Sequence, residues 1–266
     1  MGAFVRDNWI RQGQGEHERL EASFCGTAFS PHRHDTYAIG LTLGGVQSFD
    51  YRKTTRHALP GNLVILHPDE LHDGRAGTEE GFRYRIIYIK PSALQKILKG
   101  TELPFVEGGV SADQRLIDAA LPLLEDLSHA LEPLDFEDGL YDLAMALHAV
   151  GGVSTTRKPA NVPATMRARD FIDEHLEVGI CLDDLEGATG HDRWELSRDF
   201  RSLFGTSPSR YLTFRRLEQA RSLMMEGQDL AAVAFASGFA DQSHFTRHFK
   251  KTYGLTPRQW ARSQAN

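Results

Sequence analysis

The sequence predicts a two-domain chain: an all-β N-terminal domain that closes into a small barrel and is followed by helices, then an all-α C-terminal domain. Three observations predict it. Up to about residue 105, short apolar runs are separated by Gly, Pro and Asp turn chemistry; from about Ala112 the apolar residues recur at helical spacing; and in the last quarter one pattern is written twice, 49 positions apart. The expected boundaries are 1–110 for the barrel, 111–150 for a helical segment, 151–163 for a linker and 164–266 for the C-terminal domain.

With 266 residues, the chain is long enough for two separate cores. Its net charge of −6 alone argues against a nucleic-acid partner, but the acid excess lies wholly in residues 1–163. After Asp241 there are five basic residues and no acidic one, a local basic face on an otherwise neutral domain. Cys25 and Cys181 are the only cysteines and indicate no disulfide framework. No apolar run approaches the roughly 20 residues of a membrane span, so a cytoplasmic chain without a membrane role is expected.

Strands are predicted at roughly Tyr37 to Leu43, Val46 to Tyr51, Arg56 to Leu59, Asn62 to His67 and Phe82 to Lys90. Gly44-Gly45, Pro60-Gly61 and His67-Pro68-Asp69-Glu70 supply the turns. Phe82, Tyr84, Ile86 and Tyr88 alternate with Arg83 and Arg85, the period of a strand with one face in an apolar interior.

Pro31-His32-Arg33-His34 precedes the first clear strand, and the stretch from Leu59 to His72 reads L-P-G-N-L-V-I-L-H-P-D-E-L-H. Together they resemble the two motifs of the cupin barrel, over about residues 20 to 92. Metal-binding cupins carry a carboxylate a few residues after H-x-H, where this chain has Tyr37-Ala38-Ile39. His32, His34 and His72 could still offer three nitrogens to a transition metal. The other reading is a small-molecule pocket in the barrel mouth, with His32, His34, Tyr37, His72 and Tyr84 as contributors. Arg83 and Arg85 are either solvated or, if they face that pocket, a reason for an anionic ligand.

Leu116, Ile117, Ala120, Leu121, Leu124, Leu127 and Leu131 lie at helical spacing, interrupted by Pro122, and a second run carries Phe136, Leu140, Leu143, Ala144 and Leu147. These stripes either pack on the barrel or form a two-fold dimer surface, with Leu124, Leu143 and Leu147 as its central positions. Residues 151–163, rich in Gly, Ser, Thr and Pro, break every period and read as a linker.

Beginning at Leu196 the chain reads L-S-R-D-F-R-S-L-F-G-T-S-P-S-R-Y, and beginning at Phe245, F-T-R-H-F-K-K-T-Y-G-L-T-P-R-Q-W. Arg198 answers Arg247, Phe200 answers Phe249, Gly205 answers Gly254 and Pro208 answers Pro257. Asp192 and Asp241 are N-caps, and the glycines stop the helices. One helix buries Leu196, Phe200 and Leu203 and leaves Trp194, Ser197, Arg198 and Arg201 on its other face; the second buries Phe245, Phe249 and Tyr253 and turns Ser243, Thr246, Arg247 and Lys250 outward. Short first helices, Leu182 to Ala188 and Leu230 to Ser237, precede each, so both copies have the order of a helix-turn-helix. Equal frameworks with different exposed donors suit the reading of two stretches of double-stranded DNA. From Ser207-Pro208 a long helix to about Met225 joins the two copies.

Residues Ala234 to Pro257, A-x-x-x-G-F-x-x-x-S-x-F-x-x-x-F-K-x-x-x-G-x-T-P, resemble the C-terminal signature of the AraC/XylS family of bacterial transcription regulators, over about residues 164 to 266. The resemblance implies that Arg193, Trp194, Ser197 and Arg198 read one major-groove segment and Gln242, Ser243, Thr246 and Arg247 the next; Arg201 and Lys250, on the same outward faces, are expected to add DNA contacts. It further implies a cupin-like sensor for a small-molecule effector, a homodimer, and activation through RNA polymerase. The rival from another class is a cupin metalloenzyme using His32, His34 and His72; a protein-binding adaptor is a third reading that leaves the paired arginines unexplained.

Overall fold

Ten strands and ten helices follow one another in nearly strict β-then-α order in the computed structural model, which describes residues 8–125, 127–151 and 159–264. The strands are β1 (Trp9–Gln12), β2 (Arg19–Phe24), β3 (Thr27–His32), β4 (Tyr37–Gly45), β5 (Gln47–Tyr51), β6 (Thr54–Ala58), β7 (Leu63–Leu66), β8 (His72–Ala76), β9 (Phe82–Ile89) and the short β10 (Val110–Ser111). By contact the chain divides into two units, Met1–Pro31 with Thr36–Arg157 and His32–Asp35 with Lys158–Asn266. Residues 152–158 of the expected linker lie outside the described residues.

The expected barrel does not form. The strands make two separate open sheets, one in the order β1-β2-β9-β4-β7-β10 and one in the order β3-β8-β5-β6. Alternation reports which side of a strand is apolar, not whether the outermost strands meet. One sequence feature did speak against a barrel with a wet exterior, the unbroken apolar run Leu63–Leu66: all four of its residues, with the first four of β4, are buried, as in strands covered on both faces. The inner face of the six-stranded sheet packs Phe24, Val64, Phe82 and Ile86 against Phe49 and Tyr51 of the four-stranded one. Its other face, with Tyr37, Ile39, Ile65 and Ile87, is covered by helices.

Those helices are α1 (Pro91–Leu98), α2 (Gln114–Leu124) and α3 (Pro133–Gly151). α1 was not expected: its apolar residues Ala93, Leu94, Ile97 and Leu98 do recur at helical spacing, but over a run of eight residues too short to stand out from the strands before it. Pro122 stands in the last turn of α2, which stops at Leu124, so the apolar run to Leu131 is split as a proline there predicts. Leu124, Leu143 and Leu147 lie in the core between the helices and the sheet, at most 1% exposed, and so are not a dimer surface. The most apolar stripe of a helix goes to its own core first.

Buried charge locks α2 to the sheet. Glu21 of β2 is 1% exposed and accepts from Arg83 Nε and Arg85 Nε, each at 2.7 Å, and from Arg11 at 3.0 Å. Burial alone would raise its carboxyl; the bonds from Arg85 and Arg83 outweigh that and hold it below the usual range. Arg85 also donates to the Glu125 carbonyl and Arg19 to the Leu123 and His129 carbonyls, so arginines satisfy carbonyls at and beyond the C-terminus of α2.

The second unit holds α4 (Val162–Glu174), α5 (Leu182–Thr189), α6 (Arg193–Phe204), α7 (Pro208–Met225), α8 (Leu230–Ala236), α9 (Gln242–Tyr253) and α10 (Pro257–Gln264). Two small cores form. Ile172, Leu185, Leu196, Phe200 and Leu212 make one, and Leu217, Val233, Phe245, Phe249 and Trp260 the other. The 18-residue α7, about 27 Å long, contributes to both. Arg216 of α7 adds a second tie, donating to the carbonyls of Leu176 (2.7 Å) and Val178 (2.8 Å) in the loop after α4.

Candidate nucleic-acid interface

Each copy of the repeat builds a helix, a glycine turn and a capped second helix. Asp192 accepts from the N–H groups of Trp194 (2.9 Å) and Glu195 (3.0 Å), and Asp241 from that of His244 (2.7 Å). Gly205 and Gly254 close α6 and α9 in the left-handed conformation, at φ 71° and 74°. With Phe200 and Phe249 fully buried at equivalent positions, Arg198 and Arg247 come out at equivalent places on the surface.

The two outer faces differ in how free their side chains are. On α9, Gln242, Ser243, Arg247 and Lys250 are exposed and Thr246 is half-buried. Lys251, not singled out in the sequence, is also exposed there. On α6, Trp194 is 71% exposed, and Arg198 and Arg201 reach the surface. Ser197 does not: it is 9% exposed, and Arg201 Nη1 folds back onto its hydroxyl (2.5 Å) and its carbonyl (2.8 Å). Helical spacing placed Ser197 outside, but a long neighbouring side chain covers it. Arg193 is held by Glu186 (2.8 Å) and Asp183 of α5. Asp199, also missed, is an acid on the buried side of α6. That position is itself a legible signal, because a buried carboxylate needs partners.

In the first unit, the space between the sheets carries polar groups that the strand register brings into rows. Ala22, Tyr84 and Thr42 are neighbours across β2, β9 and β4, and Ala76, Gln47 and Ala58 across β8, β5 and β6. Thr42 Oγ1 and Gln47 Oε1 are buried without a hydrogen-bond partner among the described residues. Burial pushes the Tyr84 phenol far up, so it stays a neutral O–H.

The other expected ligand residues are scattered. His72, buried, pairs with Tyr51 across β8 and β5, and its Nδ1 lies 2.9 Å from the Glu70 carbonyl. Tyr37 points to the helical side, where its hydroxyl donates to the Pro104 carbonyl at 2.8 Å. His32 ends β3, and its ring centroid is 6.1 Å from that of His34. No group of three His, Cys, Asp or Glu residues among the described ones could hold a metal, so His32, His34 and His72 do not make a site for one. Arg83 and Arg85 serve Glu21 on the helical face, which removes the reason for an anionic ligand. No helix is long and apolar enough to cross a membrane among the described residues.

Comparison with known proteins agrees with this division. Residues 14–144 match the AraC-like ligand binding domain and residues 186–263 a helix-turn-helix domain. The HTH-type transcriptional regulator YbfI of Bacillus subtilis is 28% identical over 224 residues, 81% of each chain. The virulence regulon transcriptional activator VirF of Yersinia enterocolitica is 27% identical over 259 residues, 91% of this chain and 95% of that one. Among solved structures, ToxT of Vibrio cholerae with a bound unsaturated fatty acid aligns with a TM-score of 0.62 at 13% identity, covering 97% of both chains, a likeness of fold. YbfI and VirF are transcription regulators by name, not enzymes. With a match to the AraC-like ligand binding domain followed by one to a helix-turn-helix domain, and similarity to transcription regulators along most of the chain, the comparisons support a ligand-responsive, DNA-binding transcription regulator of the AraC/XylS type.

Proposed function

We propose that α6 and α9 read two successive major-groove segments of an operator, with Arg198 and Arg247 as the principal base contacts. The observation that carries this is the equivalence of the two arginines: each is exposed on a capped helix whose buried phenylalanine lies two residues further on, at positions 49 apart. An arginine presented so can fork onto a guanine edge. Trp194, Arg201, Gln242, Ser243, Thr246 and Lys250 supply the surrounding base and phosphate contacts, while Arg193 serves mainly to fix α6 on α5.

The regulator acts as an activator, as the name of VirF says of that relative, with RNA polymerase as its partner. Its effector occupies the space between the two sheets. Thr42 Oγ1 and Gln47 Oε1 lack partners there, so a small ligand with hydrogen-bond donors fits better than a hydrocarbon. Residues 1–110 then form the sensor, 111–150 its helical cover and dimer segment, 151–163 the connection and 164–266 the reader.

Dimerisation falls to the outer face of α3, where Leu134, Tyr141 and Met145 are exposed at spacings of seven and four. A second protomer would bring a second pair of reading helices to the operator and raise the effective concentration of each.

Selection of bound duplexes from a random pool, with the full-length protein, tests the reading. It should return two short blocks about one helical turn apart. Arg198→Ala should weaken binding to that operator by about 1–3 kcal/mol and to random DNA far less. Equal losses on both would make Arg198 a phosphate contact, and no enrichment at all would remove the assigned role of both helices.

A further inference from the structure

Asp199 lies on α6 next to Arg198, yet its side chain is 2% exposed. One carboxylate oxygen, Oδ1, accepts from Arg198 Nε at 2.9 Å and Nη2 at 2.7 Å. The other, Oδ2, accepts the backbone N–H of Asn161, the N-cap of α4, at 2.8 Å, and His191 Nε2 stands 3.4 Å away. The carboxylate is therefore fixed by backbone on one side and holds an exposed guanidinium on the other. We infer that Asp199 is a positioning residue that aims Arg198 at its base and thereby sets specificity in the α6 half of the operator. The inference rests on the proposed reading of α6 as a recognition helix.

The geometry supports this in three ways. Guanidinium has five N–H donors in a planar fork, and Asp199 takes the edge formed by Nε and Nη2. Three hydrogens are left, and of these one on Nη1 and the second on Nη2 form the pair of parallel donors that a guanine edge accepts. Next, the long side chain is ordered before DNA arrives, so less conformational entropy is lost on binding. Finally, the molecule contains its own contrast. The repeat places His248 where α6 has Asp199, and Arg247 has no carboxylate partner among the described residues. The α6 block should accordingly be the more selective of the two.

The test uses full-length protein and labelled duplexes carrying the selected operator, each base pair of the α6 block replaced in turn, with a random duplex as reference. Asp199→Asn should erase discrimination at one base pair by about tenfold or more, while binding to the random duplex changes by less than about twofold. Arg198→Ala should erase it at the same base pair, and the double variant should lose nothing further, because the two act as one unit. Undiminished discrimination in Asp199→Asn, an equal loss on every duplex, or additive losses in the double variant would each overturn the inference. If Asp199→Asn does not fold, Arg198→Lys decides. An ammonium cannot hold the carboxylate by an edge and still present a fork, so retained wild-type discrimination in Arg198→Lys also overturns it. Loss of discrimination in Arg198→Ala but not in Asp199→Asn would overturn the role of Asp199 alone; no loss in Arg198→Ala would overturn the reading of α6 as well.

Discussion

The Tyr51 hydroxyl lies 2.6 Å from Nδ1 of His67, deep in the first unit. The other ring nitrogen of His67, Nε2, accepts the backbone N–H of Val106 at 3.0 Å, so Nδ1 carries the proton and donates to Tyr51. Phe105 stacks on the imidazole with centroids 4.1 Å apart. One neutral histidine thus pins the connection between α1 and α2 to the end of β7.

This arrangement predicts a specific acid sensitivity. Burial, with Arg52 nearby, pushes the His67 pKa down to about 3 from an ordinary 6.5. Between those values the unfolded chain binds a proton that the folded chain refuses. The stabilising contribution is therefore complete above about pH 6.5 and is lost as pH falls, by up to roughly 1.4 kcal/mol per pH unit. Urea denaturation at pH 7, 6 and 5, comparing wild type with His67→Gln, should show the wild type losing more stability per unit. Parallel pH profiles would mean that His67 titrates normally in the fold.

A second prediction concerns the unpartnered oxygens between the sheets. Leaving a buried polar atom without a partner costs about 1–3 kcal/mol. Thr42→Val and Gln47→Leu remove such atoms while roughly conserving volume, so each should raise unfolding stability of the effector-free protein by about 1 kcal/mol. The same variants should abolish the thermal shift produced by effector in a metabolite screen. A stabilised variant that keeps its thermal shift would place the effector elsewhere.

The two repeated units and the helix between them were legible almost to the residue because their signals are local, whereas α4 starts at Val162, inside the expected linker. Asp192, Gly205, Ser207 and Gly254 cap or stop helices through their own backbone or side-chain chemistry, and α6 and α7 run as the spacing said. The N-terminal half was legible only where strands are plainly apolar. β2 escaped because Arg19 and Glu21 are buried charges whose partners, Arg83, Arg85 and the carbonyls after α2, are remote in sequence. β3 contains Pro31 and β8 reads H-D-G-R-A, neither of which looks like a strand without its neighbours.

Among the site residues, those placed by helical spacing alone fared unevenly. Arg198 and Arg247 reached the surface, whereas Ser197 was covered by Arg201, a side-chain conformation that spacing cannot see. Whether two sheet edges meet depends likewise on pairings that no single strand encodes, which is why the barrel was expected and two open sheets resulted.

The dimer surface proposed on α3 gives a third prediction. Leu143→Ala or Leu147→Ala opens a cavity in the first core and should cost about 2–5 kcal/mol of unfolding stability. Tyr141→Glu with Met145→Glu touches only exposed positions and should leave the melting temperature nearly unchanged, yet shift sedimentation equilibrium from dimer to monomer. A variant still dimeric at wild-type concentration dependence would move the interface off α3.

The last prediction separates strain from contact at two glycines of the second helix-turn-helix. Gly238 and Gly254 both have φ 74°, where any other L-residue pays about 1–2 kcal/mol. Around Gly254 a new Cβ would meet nothing within 4 Å, so Gly254→Ala should cost about that strain and no more. At Gly238 the Cβ would press on the Leu176 carbonyl oxygen and stand 2.9 Å from Arg216 Nε, the side chain that ties α7 to the loop after α4. Gly238→Ala must therefore part the second unit's turn from that loop as well as strain it, and should cost clearly more in thermal denaturation. It should also weaken operator binding, because that loop and Arg216 help fix α8 and α9 relative to α4. Equal costs for the two alanines would show that the turn at Gly238 yields freely, leaving α7 alone to hold α6 and α9 in register.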